Sequence, residues 1–157
     1  MDLVALKAEI DNDPRGLGYA GKSSDEIKPI INSNPEVVSR PISPQKLWQH
    51  LFDESRWVAM VAAQSTGTVE QKNAAAAIVQ AAGGNVVDAE TREQLAQSID
   101  LTSAPFVNAV ALVEAAGVLS AEQGAAVLAL GNVSAPRGEA LGFGHVRTAR
   151  ITAALAL

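Results

Sequence analysis

Apolar residues in this chain recur three and four positions apart far more often than they alternate, the spacing of one helix face rather than of a strand. Leu3, Leu6 and Ile10 open the pattern, which stops at Asn12-Asp13-Pro14 because proline disfavours the helical conformation of the residue before it. Ser23 with Glu26 reads as a capping box, leading into Ile27, Ile30 and Ile31, with Pro29 keeping that helix short or kinked. Ser43-Pro44 is a cap followed by proline at the first helical position, and Leu47, Trp48, Leu51 and Phe52 follow it. Asp53 to Arg56 interrupts this stretch before Trp57 resumes it toward Ala63, and Ser65 to Gly67 ends it.

The second half repeats the same signals. Thr68 with Gln71 starts an alanine-rich helix closed by Gly83-Gly84, and Asp88 caps one with Leu95 and Ile99 on its inner face. Thr102-Ser103 and Pro105 open a helix with Phe106, Val110 and Val113 inward, ending at Gly117. Ser120 with Gln123 begins the next, through Val127 and Leu130 to Gly131. Ser134 to Leu141 reads as one short helix ending at Gly142, and Thr148 as the cap of a last one through Ile151 and Leu155.

The fold class predicted is all-α: a compact bundle of short helices with a proline-rich linker near residues 32–42. That linker suggests an N-terminal arm over 1–42 and a bundle over 43–157, although 157 residues also fit one domain. Composition supports helix. Of the residues 48% are hydrophobic but only 4% aromatic, and alanine, the best helix former, supplies much of the apolar content. The net charge of −5 opposes non-specific adhesion to nucleic acid or an anionic membrane. The lack of cysteine removes disulfides, thiol nucleophiles and thiolate metal sites. Met1-Asp2-Leu3 begins no basic-then-apolar leader, and no apolar run reaches the ~20 residues of a membrane span, so a soluble chain is expected.

Candidate chemistry is sparse. Gly16, Gly18 and Gly21 match the glycine spacing of a dinucleotide fingerprint, but that motif works between a strand and a helix, and here a helix and an Asp-Pro break precede it. A turn-forming loop is expected instead. His50 and His145 lie far apart, without the spacing that puts two imidazoles on one helix face. Ser23, Thr68 and Ser120 are explained by capping, and Asn132-Val133-Ser134 as an accidental sequon. No catalytic, cofactor or metal residue is expected, and the chain reads as a non-enzyme. The hairpin over 105–130 invites comparison with a DNA-reading helix-turn-helix, yet its second helix carries no lysine or arginine to meet phosphate. After residue 136, Arg137, Arg147 and Arg150 face only Glu139, a small basic tail suited either to an acidic neighbour or to helix ends.

Two segments together resemble a known family. Leu6 to Pro14, then Arg15-Gly16-Leu17-Gly18-Tyr19, then Ser24-Asp25 opening a helix, is similar to the start of small proteins from the structural gene modules of tailed bacteriophages. Those often read Asp-Pro-Leu-Gly-Arg-Gly-Tyr and then a Met-Thr-Asp helix start with an Asn near its end. Ser134 to Val146 resembles their ending, in which Ser-Arg-Ala-Glu-Glu-Leu-Gly-Leu-Gly precedes a valine and a last helix. This chain differs in Arg15-Gly16-Leu17 and in Gly21-Lys22-Ser23, where that family has Leu-Gly-Arg and a Met-Thr pair.

The resemblance implies a bacteriophage virion or assembly role at the tail or head-to-tail junction, with other phage structural proteins as partners, in multiple copies. It implies location in the virion, and in the host cytoplasm during assembly, with neither membrane nor nucleic acid as the expected partner. Arg15, Tyr19, Arg137, Arg147 and Arg150 are the expected contact residues, because aromatics and arginines anchor interfaces. The alternative is a DNA-binding regulator using the 105–130 hairpin.

Overall fold

A computed structural model describes residues 2–84 and 98–157 of the chain. In order these form α1 (Leu3–Asn12), α2 (Ser24–Ser33), β1 (Pro35–Ser39), α3 (Pro44–Asp53), α4 (Trp57–Ala63), α5 (Val69–Ala81), α6 (Ala104–Ala115), α7 (Ala121–Ala129), β2 (Asn132–Pro136), α8 (Arg137–Ala140) and α9 (Thr148–Leu155). The chain is mostly helical, as the spacing predicts, and the helix expected behind Asp88 lies outside the described residues.

Most helix starts are built from the side chains that signal them. Thr68 and Ser120 each accept from the amide three residues on, and Gln71 and Gln123 reach back to close the box. At Ser23 the Glu26 carboxylate accepts from both the amide and the hydroxyl, at 2.8 and 2.6 Å. Ser43 accepts from Lys46 N–H at 3.2 Å, with Pro44 in the first turn. Thr148 is the exception to the predicted caps. Arg147 occupies the cap position of α9 without a capping bond, and the Thr148 hydroxyl donates instead to Asp25 Oδ1 at 3.1 Å.

The all-α expectation needs a correction, because β1 and β2 pair into a two-stranded ribbon. Part of the expected linker and the first part of the expected Ser134–Leu141 helix are its strands. Arg40 N–H donates to the Gly131 carbonyl and Arg137 N–H to that of Asn34, which fixes an antiparallel register with Pro35 opposite Pro136. That position in the ladder exchanges no hydrogen bonds, so two residues without an amide hydrogen fit there at no cost. Only after Pro136 does the chain turn into the single turn of α8.

The chain divides into two compact units, Met1–Val38 with Val133–Leu157, and Ser39–Asn132. This differs from a cut at residue 42, because the C-terminal segment buries its apolar residues with the first two helices. In the first unit Leu6, Ile10, Tyr19, Ile27 and Ile31 enclose Val146, Ile151 and Ala154. In the second, Leu47, Leu51, Met60, Ile78, Val110 and Val127 form the core, and the small side chains of Ala74, Ala75 and Ala109 let α5 and α6 pack closely. Ile99, expected on a helix, pairs with Ile42 across an isolated antiparallel bridge. No helix among the described residues is long and apolar enough to cross a membrane.

Candidate functional site

The first unit is organised by charge as well as by apolar packing. Asp13 ends α1 with a left-handed φ of 39°, and its carboxylate then gathers the glycine loop that follows. It accepts from Leu17 and Gly18 N–H at 2.6 Å each and from Tyr19 N–H at 3.4 Å. Gly16 and Gly18, at φ 64° and 80°, supply the backbone that lets three amides converge on one carboxylate. Amides that a phosphate would need thus already face a carboxylate of the same chain, so the match to a dinucleotide fingerprint has a structural explanation. Burial works to raise the Asp13 carboxyl, but the Gly18, Leu17 and Tyr19 amides together hold it below its ordinary range. In Asp13→Ala, amide hydrogen exchange at residues 17–19 is expected to lose its protection while the helices of the second unit keep theirs; unchanged exchange at Leu17 and Gly18 would refute this account of the loop.

That loop delivers Tyr19 into the core, where it is 1% exposed. Its hydroxyl points at Glu9 Oε1 from 3.5 Å, the outer limit of a hydrogen bond. Glu9 is itself buried and is gripped by Arg137 in a two-pronged fork, Nε to Oε1 and Nη2 to Oε2, both at 2.8 Å. The remaining prong, Nη1, bonds Glu36 Oε1 on β1. Arg15 reaches the same Glu36 oxygen at 3.3 Å from the solvent side, its own side chain 64% exposed. Two carboxylates and two guanidiniums therefore alternate in a charge-balanced chain running from the surface to the core. Hydrogen bonding to Glu9 holds the Arg137 guanidinium protonated well beyond its ordinary range.

The network joins two segments that lie far apart in the chain. Glu9 and Tyr19 come from the first, Arg137 from the second, and Asn32 adds a further tie. The Asn32 side chain donates to the Val146 carbonyl at 2.8 Å and accepts from the Val146 amide at 2.9 Å, while also bonding the Lys28 carbonyl. Gly138 completes the fit, since a Cβ there would stand 2.8 Å from the Gly144 carbonyl oxygen and 3.0 Å from Val146.

Of the expected contact residues, the structure brings Arg15, Tyr19 and Arg137 together and keeps Arg147 and Arg150 apart from them, exposed at the start of α9. Tyr19 and Arg137 are corrected: both are interior, Arg137 being 7% exposed, and neither can anchor a partner at the surface. Glu9, Glu36 and Asn32 were missed. Glu9 had a readable signal, for it falls between Leu6 and Ile10 on the apolar face of α1, where a carboxylate demands a buried partner. His145 is exposed in the first unit and His50 half-buried in the second. Among the described residues no group of three or more His, Asp or Glu side chains is placed to hold a metal ion.

An open groove of about 460 Å³ lies beside the network, lined by Arg15, Leu17, Asn34, Pro35, Glu36 and Val37. Its carboxylate is committed to two guanidiniums, a cation stands at its rim, and Val37 is exposed on β1. Against protein families, curated proteins and solved structures, the chain matches none.

Burial, with the Glu9 charge next in weight, pushes the Tyr19 phenol up to about 12. Its unfolded value is about 10. The folded state therefore prefers the neutral phenol; the stability this contributes is complete below pH 10 and is lost as pH rises toward about 12. Because Tyr19 is the only tyrosine, phenolate absorbance titrates it alone. A midpoint near 10 in the folded protein would contradict its burial against Glu9.

Proposed function

We propose that this chain is a non-enzymatic virion or assembly protein of a tailed bacteriophage, acting through protein–protein contacts at the tail or the head-to-tail junction. The observation that carries the reading is that the two segments resembling that family fold into one unit, tied by the Arg137 fork on Glu9. Segments far apart in the chain thus share one structural task, which supports reading them as one architectural motif. Contact surface is available on both units: Val37, Phe52, Val58 and Val69 are each more than half exposed. The partners proposed are other phage structural proteins, met in the host cytoplasm during assembly and retained in the particle. Mass spectrometry of purified virions of a phage encoding this chain tests the proposal. Finding the chain at a stoichiometric level supports it; particles that assemble normally without it and never contain it would end it.

A further inference from the structure

The second unit exposes an aromatic and apolar patch where α3 gives way to α4. Phe52 is 53% exposed and stacks on Trp48 with ring centroids 4.9 Å apart; Trp57 meets Trp48 edge-on at 6.3 Å, and Val58, next to it in the chain, is 77% exposed. Asp53 and Glu54, both exposed, rim this patch. Asp53 is the last residue of α3 and Glu54 its C-cap, so two negative charges stand at the helix end whose carbonyls are already negative. Asp53 Oδ1 accepts from Gln49 Nε2 at 2.7 Å, and Arg56, the nearest cation in sequence, keeps its Nε buried. Ser55 holds the turn at a φ of 56°, a conformation that costs a non-glycine residue free energy.

The first unit carries the opposite arrangement. Arg147 is the N-cap of α9 and Arg150 lies in its first turn, both exposed, at the helix end whose free amides are already positive. The first turn of α9 has no acidic residue of its own, and the carboxylate set against it is that of Asp25, bonded by the Thr148 hydroxyl at 3.1 Å. The exposed acidic pair and the exposed arginine pair are complementary in charge. Arginine is the cation suited to such a patch, because its planar guanidinium lies on an aromatic face while its N–H groups reach carboxylates at the rim.

We propose that the Phe52–Val58 patch of one copy receives Arg147 and Arg150 of a second copy. The contact joins two different surfaces: a two-fold dimer makes it twice, and a head-to-tail array makes it once for each added copy. This deepens the proposed function by naming one partner, and rests on it only for the biological setting.

Sedimentation of the full chain across a concentration series, at low and high ionic strength, tests it. The expected result is concentration-dependent association that weakens with salt. Asp53→Asn with Glu54→Gln removes the patch charges, and Arg147→Gln with Arg150→Gln removes the arginines. Either pair is expected to weaken association by roughly tenfold or more, without lowering thermal stability, since the charges removed oppose their own helix dipoles. Mixing the two variants leaves one intact contact, so one-to-one dimers and nothing larger are expected. A wild-type chain that stays monomeric at every concentration overturns the proposal, as do variants that associate like wild type or a mixture that forms no dimer. Association in solution by a chain never found in virions would sink the function and spare this contact; a monomeric chain found in virions would do the reverse.

Discussion

Arg137→Ala is expected to destabilise the first unit by about 3 to 5 kcal/mol, the cost of leaving buried charge without its partner. The side chains concerned are nearly closed to water: Arg137 is 8% exposed, Glu9 6% and Glu36 17%. Removing the guanidinium strands the Glu9 carboxylate beside Tyr19 and leaves Glu36 with only the solvent-side Arg15. Arg137→Lys keeps the charge but loses the fork, so it is expected to recover only part of the loss. The double variant Arg137→Ala with Glu9→Ala should cost less than the sum of the single changes, because the second change removes the carboxylate that the first left unpaired. The chain offers separate reporters: Tyr19 lies in the first unit and both tryptophans in the second. Denaturation followed by tyrosine signal should show the shift, with tryptophan fluorescence as the comparison. A loss below about 1 kcal/mol, the scale of an exposed ion pair, would mean that the network does not hold the unit together.

The helices were legible because their signals are local. Ser43-Pro44, Thr68 with Gln71 and Ser120 with Gln123 act within one turn, and neighbouring sequence is enough to place them. The ribbon was not, because each strand is five residues long and its pairing partner lies at the other end of the chain. Pro35 and Pro136 argue against strand on their own, and only the register that sets them opposite each other removes the objection. Arg137 was legible as a cation but not as an interior one, since its burial depends on Glu9 and Glu36, both distant in sequence. Tyr19, read as an exposed anchor, is carried inward by a loop whose shape is set by the Asp13 carboxylate rather than by any apolar spacing.

Asn32→Ala is expected to cost the first unit about 2 to 6 kcal/mol, because it leaves both the amide and the carbonyl of fully buried Val146 without partners, at about 1 to 3 kcal/mol for each group. The size of the lost side chain cannot account for this, since Asn32 is only half-buried. Asn32→Asp separates the two halves of the pairing. The introduced carboxylate can still accept from Val146 N–H, but it sets a negative charge against the carbonyls of Val146 and Lys28, which formerly received hydrogen bonds. Protonation restores a donor, so the folded-state pKa of the new group should rise above its unfolded value of about 3.9. Its favourable contribution is then complete below that pH and lost as pH rises through the folded value. Thermal unfolding across the acid range should therefore find Asn32→Asp closest to wild type at low pH and most destabilised near neutrality. Equal destabilisation at every pH would show that Val146 draws its hydrogen bonds from elsewhere, and that the link between α2 and the C-terminal segment does not run through this amide.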